Sequence, residues 1–177
     1  MRLALILMLI SMSLIPLGDT FGKLLLTDHN ATPFYVAWSR FVLGAVCVLP
    51  FLNSRHFDAR LYLDWRIWLR GALLTGGVSS ILTALETEPL QNVIGAFFVG
   101  PILSYFLAAF LLREQITWPR TLLLLAGFVG ILLIVKPGFG MSTGLLFAVL
   151  AGLFYGCFLT SSRWLSDVAP PRALLFS

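Results

Sequence analysis

Six mostly apolar stretches of about 20 residues, the length that crosses a bilayer as a helix, follow one another along the chain with short polar loops between them. They cover residues 3–26, 33–52, 67–87, 91–112, 121–135 and 143–165. Inside hydrocarbon every backbone N–H and C=O must be paired within the protein, which leaves helices as the form for spans of this length. Only 11% of the residues are charged and 59% are hydrophobic, and the mean hydropathy is +0.94. A soluble domain carries about 25% charged residues. The expected fold class is therefore all-α, a polytopic transmembrane helix bundle.

The net charge of +4 raises the question of nucleic acid, and the placement of the cations answers it. Arg2 precedes the first span, Arg55, Arg60, Arg66 and Arg70 surround the second loop, Arg113 and Arg120 the fourth, and Arg163 and Arg172 the sixth. The alternate loops hold Lys136, apart from Lys23 near the end of the first span. This alternation follows the positive-inside rule. It predicts a cytoplasmic N-terminus in a multi-pass protein of the inner membrane, with the lipid bilayer and not nucleic acid as its surroundings. The first residues imitate a signal peptide, but the apolar run continues to Leu26 with no A-x-A cleavage site, so an uncleaved first span is expected.

Helix contacts in lipid depend on small residues that let backbones approach. In the sixth span Gly144, Ala148, Gly152, Gly156 and Thr160 recur every four residues along one side. Gly127 and Gly130 do the same over a shorter length in the fifth, and Gly71, Gly76, Gly77, Ser79 and Ser80 cluster in the third. Pro16, followed by Gly18, should weaken or kink the first helix, and Gly100-Pro101 the fourth.

Ionisable groups inside a span cost about 2.5–3.5 kcal/mol on insertion scales and usually face a bundle interior or a cavity. Asp19, Lys23 and Arg40 are of this kind. Asp19 lies seven residues before Leu26 and Arg40 seven after Pro33. In antiparallel helices that places both about 10 Å below the outer surface at 1.5 Å per residue, where they can meet. Lys23, one turn outward from Asp19, is placed for an i,i+4 pair with it. Two accounts stand side by side: a charged cluster in which Arg40 takes a substrate carboxylate or phosphate, and an internal salt bridge fixing the first helix to the second. Glu86 and Glu88 end the third span before Pro89 and are expected at the outer mouth, Glu86 slightly deeper. The candidate substrate-binding residues are Asp19, Lys23, Arg40 and Glu86.

No catalytic residue, metal site or cofactor is expected. No span holds a histidine, so a membrane Ser–His pair is excluded. His29 and His56 are predicted on opposite sides of the membrane. Cys47 and Cys157 lie within spans and read as small packing residues. The Gly138–Gly140–Gly144 turn lacks the lysine that a phosphate loop requires.

Taken together these segments resemble the EamA-type drug/metabolite transporter family. The resemblance rests on Gly18, Asp19 and Lys23 closing the first span and Arg40-Phe41 in the second. Ala84-Leu85, Pro89-Leu90, Gly100-Pro101, then Leu112 and Glu114 follow, and Gly127, Gly130 and Lys136-Pro137-Gly138 close the fifth. Glu86 and Glu88 depart from the pattern, since members commonly carry uncharged or aromatic residues there. The resemblance implies two five-helix repeats of opposite orientation, of which residues 3–138 would be the first and residues 142–177 the incomplete start of the second. The chain is accordingly expected to be a fragment. The implied activity is secondary transport of small polar metabolites by alternating access. The alternatives are a half-length subunit working with a second copy or a complementary half, and a piece without transport of its own.

Overall fold

The computed structural model describes residues 2–29, 31–48, 64–135 and 142–165. They form helices α1 (Arg2–Asp28), α2 (Pro33–Val48), α3 (Trp65–Thr87), α4 (Leu90–Phe97), α5 (Val99–Leu111), α6 (Trp118–Val135) and α7 (Thr143–Leu165), with no strand among the described residues. Among those residues Trp65–Thr87, Leu90–Leu111 and Thr143–Leu165 are long and apolar enough to cross a membrane, and Pro33–Cys47 is a shorter apolar helix. The part of the expected second span beyond Val48 lies outside the described residues.

Local chemistry sets the element ends. Asp64 caps α3, its carboxylate accepting from the Arg66 N–H at 3.0 Å. Pro89 holds Glu88 in extended backbone (φ −112°, ψ 150°) and thereby stops α3. Ser142 caps α7 by accepting from the Leu145 N–H at 3.1 Å. α6 begins at Trp118, earlier than expected, because Pro119 in a first turn sacrifices no helical hydrogen bond.

The two prolines behave differently. α1 is helical without a break through Pro16. The fourth span is divided at Phe98, whose N–H is shared between the carbonyls of Ile94 and Gly95 at 3.2 and 3.3 Å. Pro101 has no N–H to give the Phe97 carbonyl four residues earlier, so the interruption appears one turn before the proline.

α7 is the central helix, packed against α3, α4 and α5, while α1 and α2 dock on α3 and α6 on α4. The small-residue stripe explains that position, since Gly144, Ala148, Gly152, Gly156 and Thr160 are all buried. A Cβ on Gly152 would stand 2.7 Å from the Phe97 carbonyl oxygen, one on Gly100 2.6 Å from the Gly152 oxygen, and one on Gly156 2.7 Å from the Gly100 oxygen. Backbone therefore meets backbone at each of these three glycines. Farther along, the Thr160 hydroxyl reaches Ser104 Oγ at 3.4 Å. On α3, Gly76 and Gly77 receive Phe154 of α7. Gly127 packs on Phe98, but Gly130 faces open space.

The apolar core, which includes Leu26, Val36, Leu82, Leu85, Val93 and Ala148, gathers near the end where α1 and α3 finish and α2, α4 and α7 begin. The opposite end is arginine-rich. Arg66 lies over the Trp164 ring at 4.5 Å and Arg70 over Phe158 at 4.8 Å. Arg70 Nε also donates to Ser162 Oγ at 2.9 Å. These contacts fasten the start of α3 to the end of α7.

Candidate functional site: an ion pair between the first two helices

Arg40 Nη1 donates to Asp19 Oδ1 at 2.8 Å, across the α1–α2 contact. The Asp19 side chain is 11% exposed and that of Arg40 28%. The second guanidinium nitrogen donates to the Gly18 carbonyl. The planar fork of arginine thus takes two adjacent acceptors on one helix, an arrangement a lysine ammonium cannot copy. The expected contact between Asp19 and Arg40 is what the structure contains.

The guanidinium fits because α1 is bare beneath it. A Cβ on Gly22 would lie 2.6 Å from Arg40 Nη2 and 3.2 Å from Leu82 Cδ2. Gly22 belongs to the site, and sequence reasoning passed over it. The available signal was its spacing of four from Gly18, which puts both glycines on one side of α1.

Lys23 differs from its expectation. Its ammonium donates to the Glu88 carbonyl at the end of α3 and does not pair with Asp19. Asp19 is already occupied by Arg40, and the carboxyl end of α3 offers a partial negative charge to any nearby cation. Of the two glutamates, Glu86 is exposed and Glu88 half-buried. Glu88 is the one tied into the bundle, because Ser142 Oγ at the start of α7 donates to its carboxylate. The structure thus assembles Asp19 with Arg40, and one turn farther along α1 Lys23 with Glu88 and Ser142. It leaves Glu86 apart from both groups. Cys47 is exposed, Cys157 is half-buried, and both are free thiols. His29 is exposed, and His56 lies outside the described residues.

A helical bundle with membrane-length apolar helices, a small-residue crossing and a paired acid and base between its first two helices defines a multi-pass membrane protein. The sequence pattern of the EamA-like transporter family matches residues 2–136, and the chain belongs to that family. It is similar to the S-adenosylmethionine uptake transporter of Rickettsia prowazekii (strain Madrid E), 30% identical over 130 residues, which are 73% of this chain and 44% of that protein. The transporter of the same name from Rickettsia conorii (strain ATCC VR-613 / Malish 7) is 31% identical over 124 residues, 68% of this chain and 40% of the relative. A riboflavin transporter of Brucella anthropi is 24% identical over 148 residues, 78% of this chain and 50% of the relative. The chain thus spans half or less of the length of these curated relatives. No solved structure matches it.

Proposed function

We propose that this chain supplies one five-helix repeat, residues 3–138, and the opening helix of a second in a secondary transporter for small polar metabolites, working by alternating access in the bacterial inner membrane with its N-terminus in the cytoplasm. Solutes of the kind named for the relatives, S-adenosylmethionine and riboflavin, are the first to test. Arg40 is the proposed substrate contact. Asp19 holds its guanidinium in the solute-free state and yields it to a carboxylate or phosphate on the solute. Lys23 sets the outer edge of the path by anchoring α1 to the end of α3, and Glu86, exposed, stands at the mouth.

The observation that carries this reading is the Asp19–Arg40 pair itself. It is mostly buried between the apolar helices α1 and α2, and ionisable groups inside a membrane protein's spans are costly and tend to mark solute or ion pathways.

Arg40→Ala and Arg40→Lys in vesicles expressing the chain test the assignment, with uptake of the two labelled solutes divided by membrane abundance. Uptake per molecule is expected to fall about tenfold or more for both variants, the pattern of a lost substrate contact. Reduced abundance with unchanged uptake per molecule would reduce Arg40 to a brace between helices.

A further inference from the structure

At the arginine-rich end, away from the Asp19–Arg40 pair, an open cleft of about 700 Å³ lies between the α5–α6 connection and the end of α7. Its wall includes Tyr105, Glu114, Gln115, Thr117, Arg120 and Arg163. Arg113 shapes it by ending α5 at φ 54°, a left-handed conformation that turns the chain back so that the Glu114 N–H reaches the Ala108 carbonyl at 3.3 Å. Tyr105 ties the two flanks, its hydroxyl 2.7 Å from Thr121 Oγ1.

Two guanidinium groups and one carboxylate give the wall a formal charge of +1, from Arg120 and Arg163 less Glu114. Arg163 Nη1 meets Glu114 Oε2 at 3.3 Å, but both side chains are exposed, 53% and 42%. A pair so exposed contributes little, and an incoming anion can replace the carboxylate. Among the described residues Arg120 has no carboxylate within salt-bridge reach. Gln115 and Thr117 add an amide and a hydroxyl beside the cations.

Exposed apolar side chains adjoin the lining along the chain: Ile116 is itself exposed in the wall, Phe110, 87% exposed, follows Ala109 of the wall, and Trp118, 78% exposed, follows Thr117. A soluble anion has no use for those side chains, whereas a lipid brings acyl chains and phosphate together. Basic pockets between membrane helices take anionic headgroups, and tryptophan favours the headgroup level. We propose that this cleft binds the phosphate of an anionic phospholipid, held by Arg120 and Arg163 with the acyl chains along Phe110, Ile116 and Trp118. The site is independent of the transport reading.

The detergent-solubilised chain is titrated with short-chain phosphatidylglycerol, short-chain phosphatidylcholine and inorganic phosphate. Phosphatidylglycerol should bind about tenfold more tightly than phosphatidylcholine, as expected for charge-assisted hydrogen bonds from two arginines. The R120Q/R163Q double variant should lose that preference. Glu114→Gln should strengthen phosphatidylglycerol binding several-fold by removing the competing carboxylate, a gain that misfolding cannot produce. Equal binding of the two lipids, a preference surviving in R120Q/R163Q, or no gain in Glu114→Gln would overturn the proposal. Inorganic phosphate binding as tightly as phosphatidylglycerol would overturn its lipid component and leave a site for free anions.

Discussion

Arg40 and Gly22 share one space: the guanidinium of the second helix occupies the position where a side chain on the first would begin, 2.6 Å from where a Cβ would stand. Gly22→Ala must therefore displace Arg40 Nη2, and with it the hydrogen bonds to Asp19 and Gly18. Arginine is flexible, but its fork is held by two acceptors. The substitution is expected to lower the detergent melting temperature, while Gly44→Ala, with nothing within 4 Å of its would-be Cβ, should be neutral or gain up to about 1 kcal/mol of helix propensity. Equal melting temperatures for the two variants would refute the close fit.

The Asp19–Arg40 pair predicts a non-additive double-mutant cycle. Asp19→Asn and Arg40→Gln each leave a partner short of its charge, whereas the double variant leaves two neutral groups. A coupling of about 1–3 kcal/mol is expected for residues in direct contact. It can be measured from the unfolding of the single and double variants in mild detergent, and coupling indistinguishable from zero would contradict the 2.8 Å contact.

The crossing of α7 over α4 and α5 should tolerate no added carbon. Gly152→Ala sets a methyl group 2.7 Å from the Phe97 carbonyl oxygen, and Gly100→Ala sets one 2.6 Å from the Gly152 oxygen. Each is expected to cost about 3 kcal/mol, the upper part of the usual overpacking range. Monodispersity in size-exclusion chromatography gives the readout. Gly130→Ala, which faces open space, is the matched control.

Glu88 and Glu86 should separate cleanly. Ser142→Ala removes the donor to Glu88 and also the cap on α7, and the cap alone is worth about 1 kcal/mol. Glu86→Gln, on an exposed side chain, should leave thermal stability unchanged. A larger loss for Glu86→Gln than for Ser142→Ala would reverse the roles assigned to these residues.

Orientation in the membrane is open to a direct check. Reporter fusions after Arg60 and after Pro137 are expected to report opposite sides, with Arg60 in the cytoplasm, because the arginine-bearing loops alternate. Matching signals from the two fusions would break the assignment.

Much of this molecule could be read from its residues, and for identifiable reasons. Hydropathy alone locates the sixth span, whose expected bounds coincide with α7 (Thr143–Leu165), since lipid imposes length and burial together. The Asp19–Arg40 contact follows from counting residues in from two helix ends, because antiparallel helices of fixed rise make depth a property of position. The partner of Lys23 is another matter. It is a backbone carbonyl of Glu88, and every residue owns a carbonyl, so composition cannot single it out. The division at Phe98 was expected nearer Gly100-Pro101, but the carbonyl that proline deprives lies one turn earlier. The cleft beside Arg163 depends on the left-handed turn at Arg113, a conformation that arginine does not announce.

The central place of α7 bears on how such a chain matures. A ribosome releases α3, α4 and α5 long before the helix they enclose, so these must wait in the bilayer with their glycine notches filled by lipid or by the insertion machinery. Only when Gly152 and Gly156 arrive can the notches close. Final assembly therefore belongs to a late, post-insertion step. A nascent chain stopped short of Thr143 would be threaded through the membrane without being built.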